Sequence, residues 1–540
     1  MQKIEARYEK QNSIFLLFIL FGLIFVRYCY YGFEYYYQLD DYIQYHNYAA
    51  FGGSFKQLVT GLGLLANRPL AGLFDIYVWS RLYGQMIAAA ADISIMYAVA
   101  ALLLYKVFSK RFGTGYLFLV VFALMPLGFE GTYWVSASSR IVVGMFFASL
   151  SFYFFDKWCD KGTKRYLVLF AVMQFIAFCF YEQILLFSGA LTLIAMLGRV
   201  RGQDRVRARW GFLMFGNAAL YFGFTALMPK GVYSSRTELF LPWQKDYVKD
   251  VLTPLLNQLK MVFIDGSGAT FGKGLVRGFK FIVTEPNALW ALVVMALCFV
   301  VFIFVRNSRR DSIRFFAELF SGLFLAIAPL LLFFVLKDPW FGMRNSVVSF
   351  CGLGLVLDAL FDLIFGRVKS GRFAEAVFVA VLALVCCVAS VSELHDYRET
   401  TLADTQIATA AGEAFRDMSF KSTDKVWLLN VDPTYVADGN LYYHEHDYGV
   451  TSSSWALTGA ISAVCNRGDI PSVYPITAEK PFLEDESVIN SAISFWYDGE
   501  RIIPVTFSAI SYYEWEIRDA SGTVLGTLAY IYEAFSLEKN

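Results

Sequence analysis

Residues 167–197 read LVLFAVMQFIAFCFYEQILLFSGALTLIAML, and the number of times this run crosses a bilayer decides the topology of everything after it. Its 31 residues exceed one ordinary membrane helix of about 20 and fall short of the roughly 40 that two full spans need. A single crossing would put the next loop, with Arg199, Arg201, Arg205, Arg207 and Arg209, on the outer side and invert every later loop. The positive-inside rule opposes that arrangement. The run is therefore predicted to form two short helices with a tip at Tyr181, Glu182 and Gln183.

The stretch 115–155 has the same shape, with two arms of about 15 residues around Glu130, Gly131, Thr132, Tyr133, Trp134 and Arg140. Two neighbouring hairpins that stop short of the outer surface imply a recess open to the extracytoplasmic side, where polar groups are tolerated because they line a cavity or pair.

The rest of the chain agrees with a membrane protein. Of 540 residues, 57% are hydrophobic and only 17% charged, which excludes an ordinary soluble domain, and nothing in the charge pattern suggests a nucleic-acid partner. Segments able to cross a bilayer fall at 13–32, 85–108, 115–129, 141–155, 167–181, 183–197, 211–229, 288–305, 315–336, 346–365 and 374–392, about eleven in all. The polar pieces before alternate segments carry the Lys and Arg, from Lys3, Arg7 and Lys10 to Arg367, Lys369 and Arg372. The amino terminus is therefore expected in the cytoplasm. No small-residue cleavage site follows the first segment, so it is expected to be retained. From residue 394 onward 22 acidic residues stand against 9 basic ones, a net of about −13, so the tail is expected outside.

The expected fold is thus mainly α: a polytopic domain, 1–393, with long outer loops 33–84 and 230–287, and an extracytoplasmic α+β domain, 394–540. In the tail, helices are predicted at 400–418 and 453–464 and a strand at 426–431. The last fifty or so residues alternate, and Asp498-Gly499 and Ser521-Gly522 signal hairpin turns. Only Cys465 of the eight cysteines falls in the tail, so the tail is not disulfide-stapled, and no spacing suggests zinc or an iron–sulfur cluster. Within 230–287, Val248, Val251, Leu252, Leu255, Leu256, Leu259, Val262 and Phe263 recur at helical spacing, which suits a helix lying flat in the interface. The DGSGATFGKG that follows is not a phosphate loop, because Ser267 replaces the first glycine and Gly274 the Ser/Thr after Lys273.

Chemistry is carried by charged residues on the expected outer side. Asp40 and Asp41 stand side by side just after the first span. Adjacent carboxylates there can hold a divalent cation such as Mg or Mn, or provide a base and the group that orients it, or be solvated interfacial acids. Arg68, Arg140, Arg236, Lys337 and Arg344 oppose the usual charge bias. Bidentate grip on an anionic head group, most simply a phosphate, favours arginines there, and snorkelling from helix ends is the alternative. Glu182 lies among apolar residues and needs a partner or a function. The His444-Glu445-His446-Asp447 run has no second fixed element nearby and reads as a solvated loop. The tyrosines and tryptophans of 28–48 and 77–83 suit the membrane interface or a sugar-stacking surface.

Over residues 13–392 this pattern resembles the GT-C-type membrane glycosyltransferases, and more narrowly bacterial glucosyltransferases that decorate O-antigen and other envelope glycans. The resemblance rests on Asp40-Asp41 in the first outer loop, Asn67-Arg68-Pro69-Leu70, the outer turn from Tyr133 to Arg140, and Tyr181-Glu182. It implies a bacterial plasma-membrane enzyme that moves a hexose from a polyprenyl-phosphate-linked donor to an envelope glycan or lipid-linked acceptor. The donor phosphate would be held by cations among Arg344, Arg236, Arg140, Arg68 and Lys337, with Glu130, Tyr133, Trp134, Tyr181 and Glu182 in the cavity wall. Asp40 or Asp41 would act as general base in an inverting transfer, with or without a divalent ion. A lipid-linked glycan flippase or a glycan polymerase would use a similar recess, although a carrier would not need an outer-loop carboxylate. An acyltransferase would call for an intramembrane histidine, and His46, His395, His444 and His446 all fall in polar segments.

Overall fold

In the computed structural model the described residues are 2–50, 55–197, 199, 202–230, 238–307, 314–366, 368, 370–421, 423–432, 434, 448–478, 481–483, 489, 491–531 and 534–539. They group into two compact units, one from the described residues of Met1–Tyr35 and Ser54–Leu394, the other from those of Tyr36–Gly53 and of the chain from His395 onward.

The first unit is helical, and among the described residues seven helical stretches are long and apolar enough to cross a membrane, including Trp79–Phe112, Val135–Lys161 and Met343–Phe365. The shorter apolar helices Asn12–Val26, Leu117–Tyr133 and Glu182–Leu197 accompany them. Val135–Lys161 is central, with 78% of its apolar window buried, whereas Gln203–Leu227 and Ala288–Arg306 are only 22% and 28% buried. Leu227, Leu289, Leu292 and Phe299 on those outer helices are exposed, as lipid-facing residues must be in a multi-pass membrane protein.

The 167–197 run forms two short helices, Lys164–Phe178 and Glu182–Leu197, turning through Cys179–Tyr181. The 115–155 stretch is less symmetrical than expected. Its first arm breaks into Leu117–Leu124, Pro126–Gly128 and Phe129–Tyr133, and its second is the 27-residue helix Val135–Lys161. Pro126 supplies the break, because its ring cannot continue the preceding helix. The carbonyls freed there are taken up by Arg27, a fully buried side chain whose guanidinium donates to the Leu124 and Ala123 oxygens, each at 3.1 Å. Helix C-termini carry orphan acceptors and partial negative charge, so a cation is stabilised there without a carboxylate.

Glycine decides one helix crossing. A Cβ on Gly352 would stand 2.1 Å from the Ala326 nitrogen and 2.3 Å from the Gly322 oxygen, so Phe315–Ile327 and Phe350–Phe365 pack backbone to backbone. At the basic ends of the helices, Asp156 gathers Arg111 (2.9 Å), Arg199 (2.8 Å) and Lys110 (3.0 Å). The stretch 247–284 is one helical run of α and π turns, longer than the 248–263 expected.

The predicted span 374–392 and the predicted helix 400–418 are one element, Gly371–Phe415, 45 residues long, and the unit boundary falls within it. Hydropathy falls after Ser392, but the sequence stays alanine-rich with no proline and no glycine before Gly412, so nothing ends the helix.

In the second unit, β1 (Val426–Leu429) lies between parallel neighbours β2 (Val473–Ile476) and β4 (Ile493–Tyr497), with β5 (Ile502–Pro504) antiparallel beyond β4. A second sheet is antiparallel, in the order β3 (Phe482–Leu483), β9 (Ala534–Lys539), β8 (Val524–Ile531), β7 (Glu514–Arg518), β6 (Thr506–Ser511). Trp427, Trp496, Trp515, Leu528 and Phe535 fill the core between them. Gly499 and Gly522 take φ of +105° and +85° at the two predicted hairpin turns. Helix Ser454–Cys465 matches its prediction and packs on the helical residues 40–50.

Candidate active site

The candidate chemistry of the first unit gathers at the hairpin tip at Tyr181. Pro69 opens helix Pro69–Tyr77, a position where its missing N–H costs nothing, and the Leu70 N–H donates to the Cys179 carbonyl at 3.1 Å. That bond sets Arg68 against the tip. Its Nε lies 3.0 Å from both carboxylate oxygens of Glu182, and its guanidinium carbon is 4.5 Å from the Tyr181 ring centre. Glu182 opens its own helix, where the N-terminal dipole favours a negative charge. The partner that an acid among apolar residues requires is thus Arg68. Among the described residues nothing accepts from the two Nη groups of Arg68, and its side chain is 38% exposed.

Tyr181 joins this pair to a second arginine. Its hydroxyl accepts from Asn345 Nδ2 at 2.6 Å, and Asn345 Oδ1 accepts from the Gly342 N–H at 2.9 Å. Gln183 Nε2 donates to the Asn345 and Pro329 carbonyls, both at 3.4 Å. The segment Gly342–Ser346 is therefore pinned to the hairpin tip. Arg344 stands on it with its guanidinium carbon 4.5 Å from the Trp340 ring centre and 5.2 Å from that of Trp134, and its Nη1 is 3.8 Å from Glu130 Oε1. Gly131 permits this approach, since a Cβ there would sit 2.7 Å from the Arg344 carbonyl oxygen.

The other residues singled out from the sequence are placed as follows. Tyr133 is buried among Tyr28, Phe129 and Tyr35, with ring centres 5.1 to 5.3 Å apart, and Trp134 and Glu130 are buried beside it. Arg140 donates to Asp75 at 2.5 Å and to the Ser136 carbonyl, forming a buried ion pair. Lys337 pairs with Glu238 at 3.1 Å on the surface. Arg236 and the run His444–Asp447 lie outside the described residues. Asp75, Asn345 and Trp340 were not singled out from the sequence; Asn345 and Trp340 flank Arg344 in the same short link, which was the available signal.

Asp40 and Asp41 belong to the second unit, at the start of the helical residues 40–50. Asp41 is fully buried and its Oδ2 accepts from the Gln38 N–H at 3.0 Å, while Asp40 is partly exposed. Among the described residues no group of three or more His, Cys, Asp or Glu side chains is placed to hold a metal ion.

No family model matches the chain, and no curated protein matches it. Among solved structures, the chain is similar to ArnT from Cupriavidus metallidurans, crystallised bound to undecaprenyl phosphate, with 11% identity, a TM-score of 0.34, and coverage of 91% of this chain and 93% of that one.

Proposed function

We propose that this protein is a membrane glycosyltransferase that takes a hexose from a polyprenyl-phosphate donor and passes it to an envelope glycan or lipid-linked acceptor on the extracytoplasmic side. The observation that carries the reading is the placement of two partly exposed guanidinium groups about the hairpin tip, Arg68 over the Tyr181 ring and Arg344 on the segment that Asn345 ties to the Tyr181 hydroxyl. Each is held by a carboxylate and an aromatic face, and a guanidinium set in this way is a planar fork of the kind that matches a phosphate. Arg140 is tied to Asp75 in a largely buried pair, and Lys337 has no planar fork, so the phosphate role is proposed for Arg68 and Arg344.

In the proposed reaction an aspartate of the Asp40–Asp41 pair takes the proton of the acceptor hydroxyl. The hydroxyl oxygen bonds to the anomeric carbon from the side opposite the leaving group. The bond from that carbon to the phosphate oxygen breaks, and the polyprenyl phosphate leaves with the electron pair, its charge stabilised by the two arginines. The configuration at the anomeric carbon inverts.

The test is sugar analysis of the envelope glycan from cells with and without the gene, complemented by wild type or by Arg68→Ala/Arg344→Ala. Loss of one side-branch sugar, restored by wild type and not by the double variant, is expected. An unchanged glycan would overturn the reading.

A further inference from the structure

The second unit holds the Asp40–Asp41 turn, with Asp41 buried and Asp40 partly exposed. Asp41 closes a tight turn on Gln38: its backbone N–H donates to the Gln38 carbonyl at 2.7 Å, and its side chain accepts the Gln38 N–H. Between them Leu39 is buried with φ of +22°, a conformation that a non-glycine residue holds only when its surroundings enforce it.

The surroundings come from the tail. Gln38 Nε2 donates to Thr401 Oγ1 at 3.0 Å and to the Tyr397 carbonyl at 3.3 Å, both on the acidic half of helix Gly371–Phe415. Thr401 Oγ1 in turn donates to the Tyr37 carbonyl at 3.0 Å. From the other side, helix Ser454–Cys465 presses on the same segment, and a Cβ on Gly459 would stand 2.8 Å from Ile43 Cγ1. Two tail helices thus grip the turn ahead of Asp40 and the helix behind it.

We propose that the tail domain is the clamp that positions the base. In this assignment Asp40 is the carboxylate that meets the acceptor hydroxyl, and Asp41, Gln38 and Thr401 are positioning residues. The inference rests on the glycosyltransferase reading and deepens it by giving the tail a task in catalysis. A base must lie within hydrogen-bond reach of the proton it removes, and a displacement of about 1 Å can lower the rate by roughly a hundredfold. A hydroxyl that both accepts from Gln38 and donates to Tyr37 cannot be replaced by a methyl group without freeing the turn.

The test uses the full-length protein in proteoliposomes with a panel of undecaprenyl-phosphate hexoses, and undecaprenyl phosphate alone as the binding probe. Thr401→Val is expected to lower kcat by about tenfold or more, with KM for the donor and affinity for undecaprenyl phosphate within twofold of wild type. Thr401→Ser, which keeps the hydroxyl, is expected to restore kcat. Hydrogen exchange over residues 36–50 is expected to quicken in Thr401→Val and not in Thr401→Ser, a readout independent of activity. Wild-type kcat in Thr401→Val, or a defect confined to lipid affinity, would overturn the clamp. Asp40→Asn separates the two levels. If it is inactive while Thr401→Val is normal, the clamp alone fails; if it turns over normally, the base assignment fails and the clamp with it.

Discussion

Replacing Arg344 by alanine probes the proposed phosphate site where its geometry is best defined. The guanidinium is set by two indole faces, at 4.5 and 5.2 Å, and by Glu130 at 3.8 Å, with the side chain 20% exposed. The ring contacts, worth about 0.5–2 kcal/mol each, fix its orientation before any ligand arrives. The lost term on binding is a charge-assisted hydrogen bond to phosphate, about 1.5–3 kcal/mol. Removing the cation also leaves the buried Glu130 without that neighbour, and its negative charge opposes the phosphate, so both effects act in one direction. At 1.4 kcal/mol per tenfold, affinity for undecaprenyl phosphate should fall by roughly 10- to 150-fold. Arg344→Lys should fall between, because an ammonium keeps the charge and loses the fork and the planar stacking. Binding is measured on purified protein in detergent, with undecaprenol as the control that lacks phosphate. Undecaprenol affinity should not change. If Arg344→Ala binds undecaprenyl phosphate within twofold of wild type at an unchanged unfolding temperature, the phosphate assignment is refuted.

Other consequences are as specific. Gly131→Ala should weaken phosphate-lipid binding without touching a charge, because its methyl must displace the Arg344 backbone from 2.7 Å; equal affinity in the variant would separate Gly131 from the site. Gly352→Leu should destabilise the protein by at least about 3 kcal/mol, read as loss of the monodisperse peak in detergent, since its side chain meets backbone at 2.1 Å. Asp404 lies on the tail side of the unit boundary, beyond the apolar stretch that ends at Ser392. Burial pushes its carboxyl up to about 7, against weaker opposing hydrogen bonds from Thr434 and the Val450 N–H. The folded state therefore binds this proton more tightly than the unfolded state, so its contribution is fully present below about pH 4 and is lost as pH rises through 7. Wild type should lose unfolding temperature between about pH 4 and 7, and Asp404→Asn should lose less over that range; parallel curves would contradict this.

What was legible in the sequence follows from how local each signal is. Length and flanking charge fixed the hairpin tip at Tyr181–Gln183, and Asp-Gly and Ser-Gly marked turns whose glycines do take positive φ. Glu182 announced a partner by its apolar neighbours, but Arg68 lies 114 residues away and only the fold could identify it. The continuity of Gly371–Phe415 was readable from the lack of helix breakers, and hydropathy obscured it by falling where the helix does not end. The grouping of residues 36–50 with the tail was not readable at all, because it depends on Gln38 meeting Thr401 across 363 positions.

The most direct measurement is transfer of labelled sugar from undecaprenyl-phosphate hexoses to an envelope-glycan extract, by wild type and Asp40→Asn reconstituted in bilayers. Wild type should transfer one hexose with release of undecaprenyl phosphate, and Asp40→Asn should bind the phosphate lipid normally while transferring nothing. Equal transfer by the two proteins, or movement of intact donor across the bilayer with no transfer by either, would contradict the account.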